Sequence, residues 1–220
     1  MFAPFHFSPP EDIAPLPSRA RVVLLPAAGI SSRMGKHKLS LPLSSSTLIG
    51  QTLSNYLSAN IDLIVIVRRP DDEQLVAALP ESNRLLLVTP EVSPPDMKAS
   101  LIYALAAVQQ LTKSTADHLY LLSPPDMPLL NSELINQMLD EWKPSDEVLI
   151  PTYSSRRGHP VLFSDRIAHM LDEIPPPQGL NSLWKRTDVH LREIMVASDD
   201  ILFDVDTPED YAEARNRLGN

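Results

Sequence analysis

Residues 24–42 read Leu-Leu-Pro-Ala-Ala-Gly-Ile-Ser-Ser-Arg-Met-Gly-Lys-His-Lys-Leu-Ser-Leu-Pro, and two of the chain's six glycines, Gly29 and Gly35, stand here among Arg33, Lys36 and Lys38. A loop that brings backbone N–H groups close to an anion needs residues without Cβ that can take positive φ. Small residues, amides and cations at this spacing suit a polyphosphate. A Walker loop is excluded, because five residues separate the glycines instead of four and His37 follows Lys36 where Ser or Thr would stand. The dinucleotide fingerprint fails as well.

Two carboxylate motifs could complete such a site. Asp126 sits between prolines in Ser-Pro-Pro-Asp-Met-Pro, directly after an aliphatic run. A Mg²⁺ that bridges phosphate oxygens needs only one or two protein carboxylates. Asp204-Val205-Asp206 alternates, which puts both carboxylates on one face. Asp206 also adjoins Thr207-Pro208, so it reads equally as a helix cap. His159, in Gly158-His159-Pro160 after Arg156-Arg157, is the histidine best placed for a site. Met34, Met97 and Met127 read as packing beneath loops, and Tyr103 and Trp142 as core. Ser31 and Ser32 lack a histidine partner at triad spacing, so no nucleophilic serine is expected.

These residues need elements that place them together. Apolar runs predict strands at 21–25, 61–67, 84–88, 118–122 and 147–151, then through Val161 and Phe163, and at 190–196. Helical spacing falls between them at 47–60, 71–79, 96–113 with Asp96 as N-cap, 131–142, 166–174, 180–186 and 207–218. Such alternation predicts an α/β domain of βαβ units, with a mostly parallel sheet and helices on both faces. Ligands then sit beyond the carboxyl ends of the strands, where the loop at 26–42, Asp126 and the 204–206 pair would meet. Residues 1–20, with five prolines, predict an extended tail that blocks helix and ladder pairing alike. Residues 21–220 predict one domain.

Net charge is −9 and the pI about 5.1, which disfavours nucleic acid or an anionic membrane as partner. Against that background residues 13–61 hold no Asp or Glu, a positive island centred on the first loop. Without cysteine the chain has no disulfide, thiolate nucleophile or Cys-ligated metal. Neither a signal peptide nor a bilayer-spanning run is evident, so a soluble cytoplasmic protein is expected.

Together these stretches resemble the MobA-like nucleotidyltransferases, especially the molybdenum cofactor cytidylyltransferases. The resemblance rests on Ala27-Ala28-Gly29, Ser31, Arg33, Met34, Gly35 and Lys38 before Leu41-Pro42. It extends through Met97 to Leu101, Asp126-Met127-Pro128, residues 158–163 and residues 204–210. It implies a three-layer, Rossmann-like nucleotidyltransferase domain with a mostly parallel, mixed sheet, and transfer of a nucleoside monophosphate, CMP, from an NTP to a phosphorylated acceptor, molybdopterin, with loss of pyrophosphate. Ala27, Ala28, Gly29, Ser31, Gly35 and Ser100 would bind the nucleotide, and Arg33 and Lys38 would neutralise the triphosphate as catalytic residues with Asp126. Asp126 would hold Mg²⁺ with Asp206 as second ligand, though Asp204 shares its face. Gly158, His159 and Pro160 would face the acceptor.

The resemblance also implies transient contact with a molybdoenzyme. A sugar or alcohol phosphate as acceptor, and a non-catalytic cofactor chaperone, are the alternative readings. Three departures bear on specificity: Asp96 where the family usually has Gly, Pro26 before Ala-Ala-Gly, and residues 178–183 in place of a Gly-Asp-x-Gly-Ala-Arg stretch.

Overall fold

The computed structural model describes residues 4–9, 13–29, 37–112, 117–175 and 178–219. In chain order the strands are β1 (Phe5–Ser8), β2 (Arg21–Pro26), β3 (Pro42–Leu43), β4 (Ser46–Thr47), β5 (Leu63–Val67), β6 (Leu85–Pro90), β7 (Leu119–Leu122), β8 (Val148–Tyr153), β9 (Arg156–Arg157), β10 (Val161–Ser164) and β11 (Leu191–Met195). The α-helices are α1 (Leu48–Leu57), α2 (Glu73–Ala78), α3 (Met97–Leu111), α4 (Ser132–Glu141), α5 (Asp165–Met170) and α6 (Pro208–Arg217). Residues expected to be helical at 171–173 and 180–185 form 3₁₀ turns instead.

The main sheet runs β1-β6-β5-β2-β7-β10-β8-β11, with β9 paired to β8. β10 lies antiparallel between β7 and β8, and β1 lies antiparallel on β6. The remaining neighbours in the main order are parallel. Alternation along each strand sorts side chains to two faces. Val22, Leu24, Leu63 and Val65 pack with Leu101, Ala104 and Val108 of α3 and Ile167 of α5. Val23, Leu25, Ile64 and Ile66 pack with Leu53 of α1, Leu75 of α2, Met138 of α4 and Ala214 of α6. This is the expected three-layer mixed sheet.

One expectation is corrected. The segment before residue 20 does enter the ladder: between Pro4 and Pro9, four residues with N–H groups pair with β6, Phe7 opposite Val88. Prolines only bracket that edge strand, as edges permit, and Phe5 and Phe7 pack against the core beside α3. The polar turn at 154–158 is a tight hairpin in which Ser154 and Ser155 both take positive φ, 48° and 63°, the pattern a two-residue turn between twisted strands requires.

His118, immediately before β7, is 3% exposed, and its Nδ1 accepts the Ala20 N–H at 3.1 Å. Burial lowers its pKa below 6.5, against a weaker upward pull from Asp165. The unfolded chain therefore takes up a proton below pH 6.5 that the folded protein refuses. Stability should be level above that pH and fall as pH drops through it, by up to about 1.4 kcal/mol per pH unit for one group. Urea melts between pH 7.5 and 5 check this. His118→Asn should flatten that part of the profile, and an unchanged profile would remove His118 as its source.

Candidate active site

β2 delivers the first loop to the carboxyl end of the sheet. Its ladder continues one residue past the strand, because Ala27 N–H donates to Val67 O at 2.8 Å. Ala27 is packed into the core, so its amide serves the sheet. Gly29 follows, and here the φ expectation is corrected: its φ lies outside the left-handed region, and among the described residues a Cβ would meet no atom within 4 Å beyond its chain neighbours. Ser31, Arg33 and Gly35, with Met34, lie outside the described residues.

The chain returns at His37 and makes a 3₁₀ turn, Lys38–Ser40, which buries Leu39. That anchor turns Lys38 toward the sheet end. Its Nζ makes a close ion pair with Asp126 Oδ2 and lies 2.8 Å from Asp206 Oδ1. Asp126 is fixed by what surrounds it: Met127 and Leu130 are buried, and its carbonyl accepts the Val205 N–H at 3.0 Å. Val205 is fully buried in the core, so the extended segment 203–206 presents Asp204 and Asp206 away from it.

Asp206 is not the cap of α6. Thr207 accepts the Asp210 N–H, and Asp210 accepts the N–H groups of both Thr207 and Asp206. This reciprocal capping box satisfies the helix start, which leaves the Asp206 carboxylate able to meet Lys38.

Burial alone would lower the Lys38 pKa, but the charge of Asp126 and hydrogen bonds to Asp126 and Asp206 outweigh it, and the net direction is up. Burial pushes the Asp126 carboxyl up, Lys38 pulls it part of the way back, and Asp204 adds a smaller upward push. The asymmetry is physical. The ammonium has two carboxylates, whereas Asp126 Oδ1 is buried with no hydrogen-bond partner among the described residues. A buried carboxylate with an orphaned oxygen is short of positive charge.

Those residues fit a divalent cation. They are hard oxygen donors, one of them unsatisfied, and Mg²⁺ takes one or two carboxylates plus substrate phosphates. Among the described residues no three His, Asp or Glu side chains form a ready cage, so a metal here would need oxygens from the substrate.

Residues 22–191 match the family described as the MobA-like NTP transferase domain. The chain belongs to that family. It is a nucleotidyltransferase, and among known relatives it is 26% identical to the molybdenum cofactor cytidylyltransferase of Escherichia coli K12 over 195 residues, 88% of this chain and 95% of the relative. It is 23% identical to the purine catabolism protein PucB of Bacillus subtilis 168 over 205 residues, 87% and 94% of the two chains. The crystal structure of Rv0371c from Mycobacterium tuberculosis H37Rv superposes with a TM-score of 0.74 at 25% identity, covering 90% of this chain and 98% of that one. Rv0371c has also been crystallised with manganese, in a structure that superposes at 0.70 with 24% identity and the same coverage.

In this NTP transferase the remaining predicted residues are placed as follows. Ala28 is buried just before Gly29. Ser100 is buried in the first turn of α3, its hydroxyl donating to the Asp96 carbonyl at 3.3 Å, while Asp96 caps the helix through the Ala99 N–H. Gly158 cannot carry a Cβ, which would stand 2.3 Å from Ile201 O. His159 follows in a cis peptide with Pro160, donates its N–H to Ile201 O at 2.9 Å, and is held neutral because burial lowers its pKa. Gly158 and His159 line a cavity of about 700 Å³ together with Leu122, four residues before Asp126, and Trp184.

Sequence reasoning missed several residues here. Met97, expected to pack, is 48% exposed and lines that cavity with Lys98 and Lys185. Arg69 and Asp72 reach the first loop from the end of β5. The strand-end rule that singled out Asp126 applies equally to Arg68-Arg69 after Val67, and was the signal available.

Proposed function

We propose that this nucleotidyltransferase moves CMP from CTP to the phosphate of molybdopterin and releases pyrophosphate. The observation that carries the reading is Lys38 held between Asp126 and Asp206 at the strand ends, where β7, whose last residue Leu122 lines a cavity with an apolar wall, also ends. That wall, Leu122, Ile150, Val161 and Trp184, suits a flat ring, and Lys98 and Lys185 at its edge suit an anionic substituent. The relative from Escherichia coli, aligned over most of both chains, supports the same acceptor.

An acceptor phosphate oxygen attacks the α-phosphorus, and the bond to the bridging oxygen breaks with its electron pair leaving on pyrophosphate. No protein base is needed, since the acceptor is already ionised near pH 7. The demand is for alignment and charge neutralisation. Lys38 supplies a fixed cation, the backbone at Gly29 leaves room for a phosphate beside it, and neutral His159 shapes the acceptor wall. Mg²⁺, held by Asp126 and Asp206, would neutralise phosphate charge.

A thermal-shift panel of CTP, GTP, ATP and UTP with Mg²⁺ tests the nucleotide, because a ligand that binds only the folded state raises Tm. CTP should give the largest shift. Pyrophosphate release should require molybdopterin; release driven instead by a sugar or alcohol phosphate would move the assignment to that acceptor. Nucleotide binding with no turnover on any acceptor would leave a chaperone.

A further inference from the structure

We propose that Asp72 is a positioning residue for the nucleotide, acting through both flanks of the first loop. This rests on the reading that the loop binds the NTP. Asp72 is the N-cap of α2, accepting the Leu75 N–H at 3.0 Å, and its side chain is only 2% exposed. A cap needs one neutral oxygen, so a carboxylate buried to this degree is more than capping requires.

Its remaining partners explain the charge. His37 Nε2 lies 2.9 Å from Oδ1 and 3.0 Å from Oδ2. Arg69 Nη2 donates to Oδ2 at 3.2 Å, while Nη1 of the same guanidinium donates to the Gly29 carbonyl at 3.0 Å. The planar fork transmits the position of Asp72 to the loop backbone in a way no lysine could. His37 is tied onward to Ser40, Nδ1 to Oγ at 3.1 Å, and the Ser40 hydroxyl donates to the His37 carbonyl at 3.0 Å.

One buried carboxylate therefore holds Gly29 on the near side of the loop and His37 on the far side. His37 immediately precedes Lys38, so the clamp sets where the Lys38 backbone stands relative to Gly29. Neither flank depends on Asp126 or Asp206 for this. The consequence is pre-alignment: the amide end and the cation end of the triphosphate site are spaced before substrate arrives, and small misplacements at such sites cost large factors in rate.

Asp72→Asn separates positioning from folding, because Asn is an equally good cap but cannot hold two donors by charge. With the triphosphate selected by the four-nucleotide panel, its Kd and KM should rise about tenfold, with acceptor KM unchanged. Arg69→Ala, which frees only the Gly29 flank, should give a smaller rise, and the double variant should be little worse than Asp72→Asn alone, since the path through Arg69 is already cut there. A nucleotide Kd within twofold of wild type in folded Asp72→Asn would overturn the clamp while leaving the proposed function standing. So would equal losses in nucleotide and acceptor KM that track a fall in Tm. Wild-type protein that binds none of the four triphosphates would overturn both.

Discussion

Asp126→Asn should lower kcat by about 10³-fold and leave the protein as stable as wild type at neutral pH, or more so. The two halves share one cause. Burial raises the Asp126 pKa in the fold above its unfolded value, so the folded state favours the protonated form. The stability this contributes is present below about pH 3.8, the unfolded value, and is lost as pH rises through the folded pKa. At pH 7 an ionised Asp126 therefore weighs against folding, its Oδ1 buried without a partner. Asn keeps the shape and removes the charge. Activity should fall because the proposed mechanism uses that carboxylate to hold positive charge at the phosphates, and losing one preorganised electrostatic contribution costs about 10²–10³ in kcat. Steady-state kinetics and thermal melts on one preparation decide the matter. The Mg²⁺-dependent part of the nucleotide-induced Tm shift should also disappear. Activity within tenfold of wild type would remove Asp126 from the reaction.

Such a trade of stability for charge is also where the sequence was easiest to read. A lone aspartate between prolines after a strand, and a second carboxylate pair before a capped helix, stood out because local chemistry marked them. The sheet was legible for a similar reason: buried aliphatic runs and stop residues recur at each strand, and Asp96 caps its helix where expected. Local signals also sufficed to leave Asp206 open between cap and ligand. Only the position of the Asp210 carboxylate, on the Thr207 and Asp206 N–H groups, separates those readings.

What local pattern could not supply was partnership across distance. β1 forms because β6 offers it an edge, and nothing within a proline-rich stretch announces that neighbour. Asp72 read as an acidic residue at a helix start, which it is; its second task depends on His37, 35 residues earlier, arriving beside it. Met97 looked like packing because methionine usually is, yet the cavity it lines is built from five separate parts of the chain. Gly29 shows the reverse error: positive φ was the natural reason for a glycine there, and the backbone does not use it.

Lys38→Ala should combine a loss of about 10²-fold or more in kcat/KM with a loss of stability, the opposite stability sign to Asp126→Asn. Removing the ammonium leaves Asp126 buried with no positive partner and Asp206 as a like charge nearby. Breaking a buried pair from one side typically costs about 3–5 kcal/mol. The lower end applies, because the Asp206 side chain is 38% exposed and partly screened. The deficit should shrink as pH falls, since without Lys38 the Asp126 carboxyl is pushed further up and sheds its charge sooner. It should shrink also with Mg²⁺, because Asp126 and Asp206 would then hold a divalent cation that replaces the lost positive charge. Melts of Lys38→Ala and wild type with and without Mg²⁺, at pH 7.5 and 5, separate these effects. A variant rescued in Tm by Mg²⁺ but not in turnover would mean that the fold needs only positive charge at this point, whereas transfer needs the lysine and the metal together. A variant with unchanged Tm and kcat/KM would mean that the contact with Asp126 and Asp206 contributes to neither.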